Sequence, residues 1–137
     1  QNGFSRELYI MGRSLGSASA IELAARRQKE INGLIVESGF AYAGPLLSLL
    51  GVDPDQIGYR EEEGFENIGK IKTVSKPCLV IHAEYDHIIP FSDGQALFEA
   101  AGSEKKIFLK IENANHNDIF FQGLETYMDH IDQLLAV

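Results

Sequence analysis

Glu7-Leu8-Tyr9-Ile10-Met11-Gly12-Arg13-Ser14-Leu15-Gly16 is the stretch on which the reading of this chain turns. Glu7 to Gly12 is a short apolar run, and Ser14 to Lys29 is rich in Ala, Leu and Glu and free of proline, so a strand is expected to run straight into a helix. The junction reads Gly12-Arg13-Ser14-Leu15-Gly16, a G-x-S-x-G pattern in the strand-turn-helix setting of a nucleophile elbow. Such a turn forces strained backbone geometry on the serine, and side chains at positions 12 and 16 are expected to collide with the neighbouring strand and helix. Ser17, Ala18 and Ala20 continue the small-residue surface. The competing reading is a glycine-rich turn in which Ser14 only caps the helix.

Outward from the turn, apolar runs alternate with helical segments. Gly33 to Glu37 (GLIVE), Pro77 to Ala83 (PCLVIHA) and Lys106 to Ile111 (KIFLKI) read as strands. The unbroken Leu-Ile-Val run of the first of these points to burial on both faces, as in a parallel sheet. Ser92 is expected to cap a helix reaching about Ala101. Asp118 to Leu135 should form a closing amphipathic helix with Ile119, Leu124, Met128, Ile131 and Leu135 on one side. The alternation predicts an α/β fold in which helices wrap a parallel sheet and chemistry lies in loops at the carboxyl ends of the strands. Residues 40–73 exceed a simple crossover and begin with the apolar AGPLLSLLGV, so they are read as a small insertion. The chain shows no internal repeat or linker.

A serine hydroxyl needs a base within hydrogen-bond reach and an acid to orient that base. His82 falls inside an apolar strand, His130 inside the last helix, and His87 directly beside Asp86. His116 sits in the polar loop Asn113-Ala114-Asn115-His116-Asn117-Asp118 after the fourth strand and is the expected base. Asp86, in the loop after the third strand and just before Ile88-Ile89-Pro90, is the expected acid, ahead of Glu84, Asp93, Glu112 and Asp118. The resulting chain order is Ser14, Asp86, His116. It is the order of the α/β-hydrolase arrangement and differs from those of the chymotrypsin and subtilisin folds.

Charge and composition remove other classes of function. Lysine and arginine total 12 against 20 aspartate and glutamate, a net charge of −8. That sign disfavours nucleic acid and anionic lipid as partners and leaves small-molecule or acyl substrates and proteins. The longest uncharged stretch, Ser38 to Val52, contains Gly39, Gly44 and Pro45 and falls short of the roughly 20 apolar residues of a transmembrane helix. One cysteine, Cys78, allows neither an intrachain disulfide nor a cysteine zinc cluster, so a cytoplasmic location is expected. Cys78 itself reads as a buried inert thiol. Arg13 reads as either a contact for an anionic substrate group or a surface ion pair, and Glu61 to Glu66 as a solvated face of the insertion. Nothing near Gln1 resembles a signal peptide, and the chain is expected to have lost its beginning.

Through GRSLG at 12–16, HAEYDHIIP at 82–90 and NANHND at 113–118, the chain resembles the α/β-hydrolase superfamily over essentially its whole length. It looks most like the small-lid lineage of bacterial serine esterases, protein depalmitoylases and prolyl-oligopeptidase-like enzymes. The resemblance implies Ser14 as nucleophile, Asp86 as acid and His116 as base. It also implies Leu15 N–H as one oxyanion-hole donor and residues 40–73 as part of a lid, with Leu46, Leu47 and Leu50 as candidate acyl contacts. No metal or organic cofactor is needed for that chemistry.

The family's sheet has about eight strands with the elbow after the fifth, so residues 1–137 resemble only its carboxyl-terminal half. The loop carrying the second oxyanion donor would then be missing, activity would be weak, and the exposed strand edge would invite self-association. The expected reaction is hydrolysis of an ester, a thioester or an activated amide through an acyl-enzyme. The alternatives are a non-catalytic binding protein or an acyltransferase on the same scaffold.

Overall fold

In a computed structural model describing residues 6–137, four strands form one parallel sheet in the order β1-β2-β3-β4. Gln1 lies outside the described residues. The strands are β1 (Tyr9–Arg13), β2 (Gly33–Glu37), β3 (Cys78–Ala83) and β4 (Lys106–Ile111). The helices are α1 (Gly16–Arg26), α2 (Gly44–Leu49), α3 (Asn67–Ile71), α4 (Phe91–Ala100) and α5 (Ile119–Leu135). The register pairs Arg13 with Glu37, Glu37 with Ile81 and Ile81 with Leu109, which brings the carboxyl ends of β1 and β2 level, while β3 and β4 run two residues further to the paired Ala83 and Ile111. β2 and β3 are buried at every position, as their continuous apolar sequences require.

Helices α1, α3 and α4 share one face of the sheet. Their Ile21, Ala24, Ile71 and Leu97 pack with Leu34, Val36, Cys78 and Val80. The other face carries α5 alone, through Ile119, Tyr127 and Leu134 on Ile35, Leu79, Ile81 and Leu109. Three crossovers on one side follow from the right-handed rule for parallel strands. β1 forms the edge and has no neighbour on its outer side among the described residues.

Several expectations need correction. α5 does not bury Leu124, Met128 and Leu135, all of which are exposed; it buries Tyr127 and Leu134, with Ile131 partly covered. The backbone leaves helical geometry at Gly123 (φ −155°, ψ 37°), so a straight helical wheel drawn from Ile119 is out of phase beyond that point. Phe91, not Ser92, begins α4, after Pro90 in extended geometry, and Ser92 makes no capping bond. The first helix starts at Gly16, two residues after the serine, with Arg27 breaking it before a short 3₁₀ turn.

Candidate active site

Ser14 follows the last residue of β1 and takes φ 53°, a left-handed conformation that costs a non-glycine residue energy and persists only when its surroundings enforce it. Here the enforcement comes from both sides. Ser14 N–H donates to Glu37 O (2.9 Å), and Ser14 O accepts from Ser17 N–H (3.0 Å) and Ser17 Oγ (2.6 Å). The glycines of the motif are not equivalent. A Cβ at Gly12 would lie 2.5 Å from both Ala20 Cβ and Gly16 O, whereas a Cβ at Gly16 would meet nothing within 4 Å. The expected collision therefore holds at position 12 and fails at 16, which faces open space and crowds Gly12 only through its carbonyl.

The three residues singled out from the sequence meet at the strand ends. His116 Nδ1 lies 2.7 Å from Asp86 Oδ2 and its Nε2 lies 2.9 Å from Ser14 Oγ. With the carboxylate accepting at Nδ1–H, the Nε2 lone pair is left to accept the Ser14 hydroxyl proton. The Asp86 side chain is fully buried, and its Oδ1 accepts Ile88 N–H (2.9 Å) and Ile89 N–H (2.8 Å), which leaves Oδ2 directed at the imidazole. Tyr85 N–H donates to Ala114 O (2.9 Å), tying the acid's loop to the base's loop. Leu15 N–H, at the start of α1, is accepted by no backbone carbonyl among the described residues.

The rejected acids are occupied elsewhere. Glu84 Oε2 accepts Asn113 N–H (3.0 Å), Asp93 Oδ2 accepts Ala41 N–H (2.9 Å), Asp118 Oδ1 accepts Asn115 N–H (2.6 Å), and Glu112 lies 3.8 Å from Lys110 Nζ. The other histidines lie away from the serine. His82 is buried, donates from Nε2 to Ile89 O (2.8 Å), and stands 3.5 Å from Asp86 Oδ2; burial pushes its pKa down and keeps the ring neutral. Its Nδ1 faces Gly94, where a Cβ would come within 2.6 Å. His87 is exposed and His130 bonds to Thr126 O within α5. The Cys78 thiol is pushed up to about 12 by burial, as suits an inert core residue.

Two acidic side chains do more than the sequence indicates. Glu61 is no solvated residue: its Oε1 and Oε2 accept Gly44 N–H (2.6 Å) and Ala43 N–H (3.1 Å), closing the amino end of α2, while Glu62, Glu63 and Glu66 are exposed. Glu37, at the end of β2, is buried and paired with Arg13. The signal for it was a lone charge ending an apolar strand.

The candidate lid leucines separate. Leu46 packs against Ala18, Phe40, Ala43 and Ile89, next to the Asp86 loop; Leu47 is half-buried; Leu50 is 76% exposed.

This parallel sheet, with a left-handed serine between β1 and α1 and an aspartate and a histidine in the loops after β3 and β4, defines an α/β-hydrolase architecture. The chain shares the fold of the α/β-hydrolase superfamily and is similar in sequence to proteins named for it. No model of a known protein family matches it. It is 34% identical over 128 residues to alpha/beta hydrolase domain-containing protein 17B of Xenopus laevis, covering 93% of this chain and 41% of that protein. To the 17C protein of Mus musculus it is 35% identical over 134 residues, covering 96% and 38%. The chain thus spans about two-fifths of the length of these curated relatives. Among solved structures, Est1E from Butyrivibrio proteoclasticus superposes with a TM-score of 0.72 at 17% identity over 98% of this chain and 64% of that one. Paleococcus ferrophilus monoacylglycerol lipase gives 0.70 at 18% identity over 96% and 69%. At these identities the structures speak for the fold alone.

Proposed function

We propose that residues 1–137 carry the nucleophile, acid and base of a serine hydrolase that cleaves a carboxylic ester or thioester through an acyl-enzyme. The single observation behind this reading is the continuous hydrogen-bond chain from Ser14 through His116 to buried Asp86. In the proposed reaction Ser14 Oγ attacks the carbonyl carbon as its proton passes to His116 Nε2. Asp86 holds the imidazolium, and Leu15 N–H faces the developing oxyanion. His116 then returns the proton to the departing alcohol or thiol, leaving the acyl group on Ser14. Water attacks that ester as His116 takes its proton; the C–Oγ bond then breaks as His116 gives the proton to Ser14 Oγ, which releases the carboxylic acid and regenerates the serine.

In the same reading, residues 40–73 form a lid-like insertion whose Leu46, Leu47 and Leu50 border the acyl group. Residues 1–137 amount to a partial hydrolase domain, consistent with the fraction of the relatives they span. The outer edge of β1, without a neighbour among the described residues, offers a second chain a strand to pair with. No helix among the described residues is long and apolar enough to cross a membrane, and the single buried thiol accords with a reducing, cytoplasmic setting.

The test is labelling by a fluorophosphonate, in which a Ser14 Oγ–P bond forms and fluoride leaves, followed by peptide mapping with Ser14→Ala as control. Labelling confined to Ser14 is the expected result. Its absence, both from residues 1–137 and from the natural protein that carries them, would replace the hydrolase reading with that of a binding protein.

A further inference from the structure

The Arg13 side chain does not project toward a substrate. Its Nε lies 2.5 Å from Glu37 Oε2, and its Nη2 donates to the backbone carbonyl of His116. Glu37 is 2% exposed at its side chain, whereas Arg13 is 46% exposed, so a half-buried cation spans from a buried anion to the peptide that carries the imidazole. The two residues are register partners at the ends of β1 and β2, which fixes one end of the bridge in the sheet. Tyr127 of α5 also neighbours Glu37, its hydroxyl pushed up by burial and by that carboxylate.

Hydrogen bonds within the loop hold His116 only from close by. Asn115 N–H donates to Asp118 Oδ1 (2.6 Å) and Asn117 N–H to Asn115 Oδ1 (2.8 Å), so the loop is braced against itself. The Arg13 contact ties the backbone of this loop to the end of β1, one residue before Ser14. A guanidinium meets the two partners through separate nitrogens, Nε in an ion pair with Glu37 and Nη2 in a hydrogen bond to the His116 carbonyl, whereas an ammonium presents one nitrogen at the end of a flexible stem.

We propose that Arg13, anchored by Glu37, is a positioning residue that sets the distance between His116 and Ser14 by clamping the His116 carbonyl to the end of β1. The proposal rests on the serine-hydrolase reading for its catalytic consequence. The bridge itself can be tested without turnover.

The experiment compares the parent with Arg13→Gln, Arg13→Lys and the double variant Arg13→Gln/Glu37→Gln, the last removing both charges so that no buried carboxylate is left unpaired. Short p-nitrophenyl esters, neutral and carboxylate-bearing, supply kcat and KM, and amide hydrogen exchange is followed at Asn115 and Asn117. The expected result is a fall in kcat of about 10- to 100-fold in all three variants with KM little changed on both esters, as a displaced base produces. Exchange at Asn115 and Asn117 should quicken while that in β3 stays slow. Arg13→Lys should keep the melting temperature near the parent's without restoring kcat.

Full kcat in the double variant would overturn the proposal and reduce Arg13 to a counter-ion for Glu37. A rise in KM confined to the carboxylate-bearing ester would overturn it in favour of a substrate contact. If the parent itself shows no Ser14-dependent turnover, the hydrolase reading falls on its own. The clamp is then judged by exchange, and unchanged rates at Asn115 and Asn117 would overturn it.

Discussion

The strand-end site and residues 40–73, read above as an insertion, are built on opposite terms. At the site, three side chains from three loops are each fixed by at least one further bond. The Ser14 peptide is held by Glu37 and Ser17, the Asp86 carboxylate by two backbone amides, and the His116 loop by Tyr85, Asp118 and Arg13. In the insertion, the six-residue α2 has no fully buried residue, and Leu49, Leu50, Ile57 and Phe65 are exposed. The first region derives its geometry from the sheet; around α2 the second rests on an apolar cluster at Phe40 and a carboxylate cap, and its end, α3, joins the sheet core through Ile71. In the proposed hydrolase, chemistry falls to the firmly bonded frame and discrimination between acyl groups to the sparsely packed part.

The sharpest way to break this comparison is to remove the atoms that transfer the proton in the proposed reaction. Ser14→Ala and His116→Ala should each lower kcat by about 10⁴-fold or more, and Asp86→Asn, which disturbs the tautomer at His116, by about 10⁴-fold. Steady-state hydrolysis of a short p-nitrophenyl ester, alongside a thermal melt, checks this. Melting temperatures close to the parent's would assign the loss to chemistry. Residual activity in Ser14→Ala equal to the parent's would assign the turnover to another nucleophile.

A smaller effect comes from the frame itself. Gly12→Ala places a methyl group 2.5 Å from Ala20 Cβ and from the Gly16 carbonyl, so β1 and α1 must separate. The expected cost is about 1 to 3 kcal/mol by urea denaturation, in the range of overpacked cores. Gly16→Ala at an open position should be nearly neutral by the same measure. Equal losses at both would mean that the turn needs glycine at 16 for a reason other than space.

These two glycines also mark how far the sequence could be read. G-x-S-x-G, the apolar strands and the Ser-Asp-His order are local patterns, and each led to an element or residue now found at the strand ends. Gly12 and Gly16 look identical in sequence, and only the packing of α1 on β1 tells them apart. The face of α5 was misread because a wheel assumes one helix axis and Gly123 breaks it. Arg13 and Glu37 lie far apart in sequence and come together by strand register, and Glu61 becomes a cap only when residues 40–73 fold back on α2. Contacts set by tertiary packing leave little trace in spacing or periodicity.

The insertion supplies the milder tests. Glu61→Ala removes both acceptors from the amino end of α2 and should cost about 1 kcal/mol, the usual worth of a helix cap. Hydrogen exchange at Ala43 and Gly44 should accelerate while exchange in β3 is unchanged. Global acceleration would mean that the insertion and the sheet unfold as one unit, and the contrast between them would fail.

The finest distinction lies within α2 and its end. Leu46 packs on Ala18, Phe40 and Ile89 beside the Asp86 loop, whereas Leu50 is 76% exposed. Leu46→Ala should therefore cost about 1 kcal/mol from partial burial and lower kcat/KM on long-chain acyl esters about 10-fold relative to acetyl esters. Leu50→Ala should change stability by less than about 0.5 kcal/mol. It should leave chain-length preference untouched if Leu50 faces only water. A loss of long-chain preference in Leu50→Ala as large as in Leu46→Ala, with stability unmoved, would show that α2 swings over the acyl chain during turnover. The exposed leucine would then be the working face of the lid, and the insertion would be set apart from the site by its motion more than by its sparse packing.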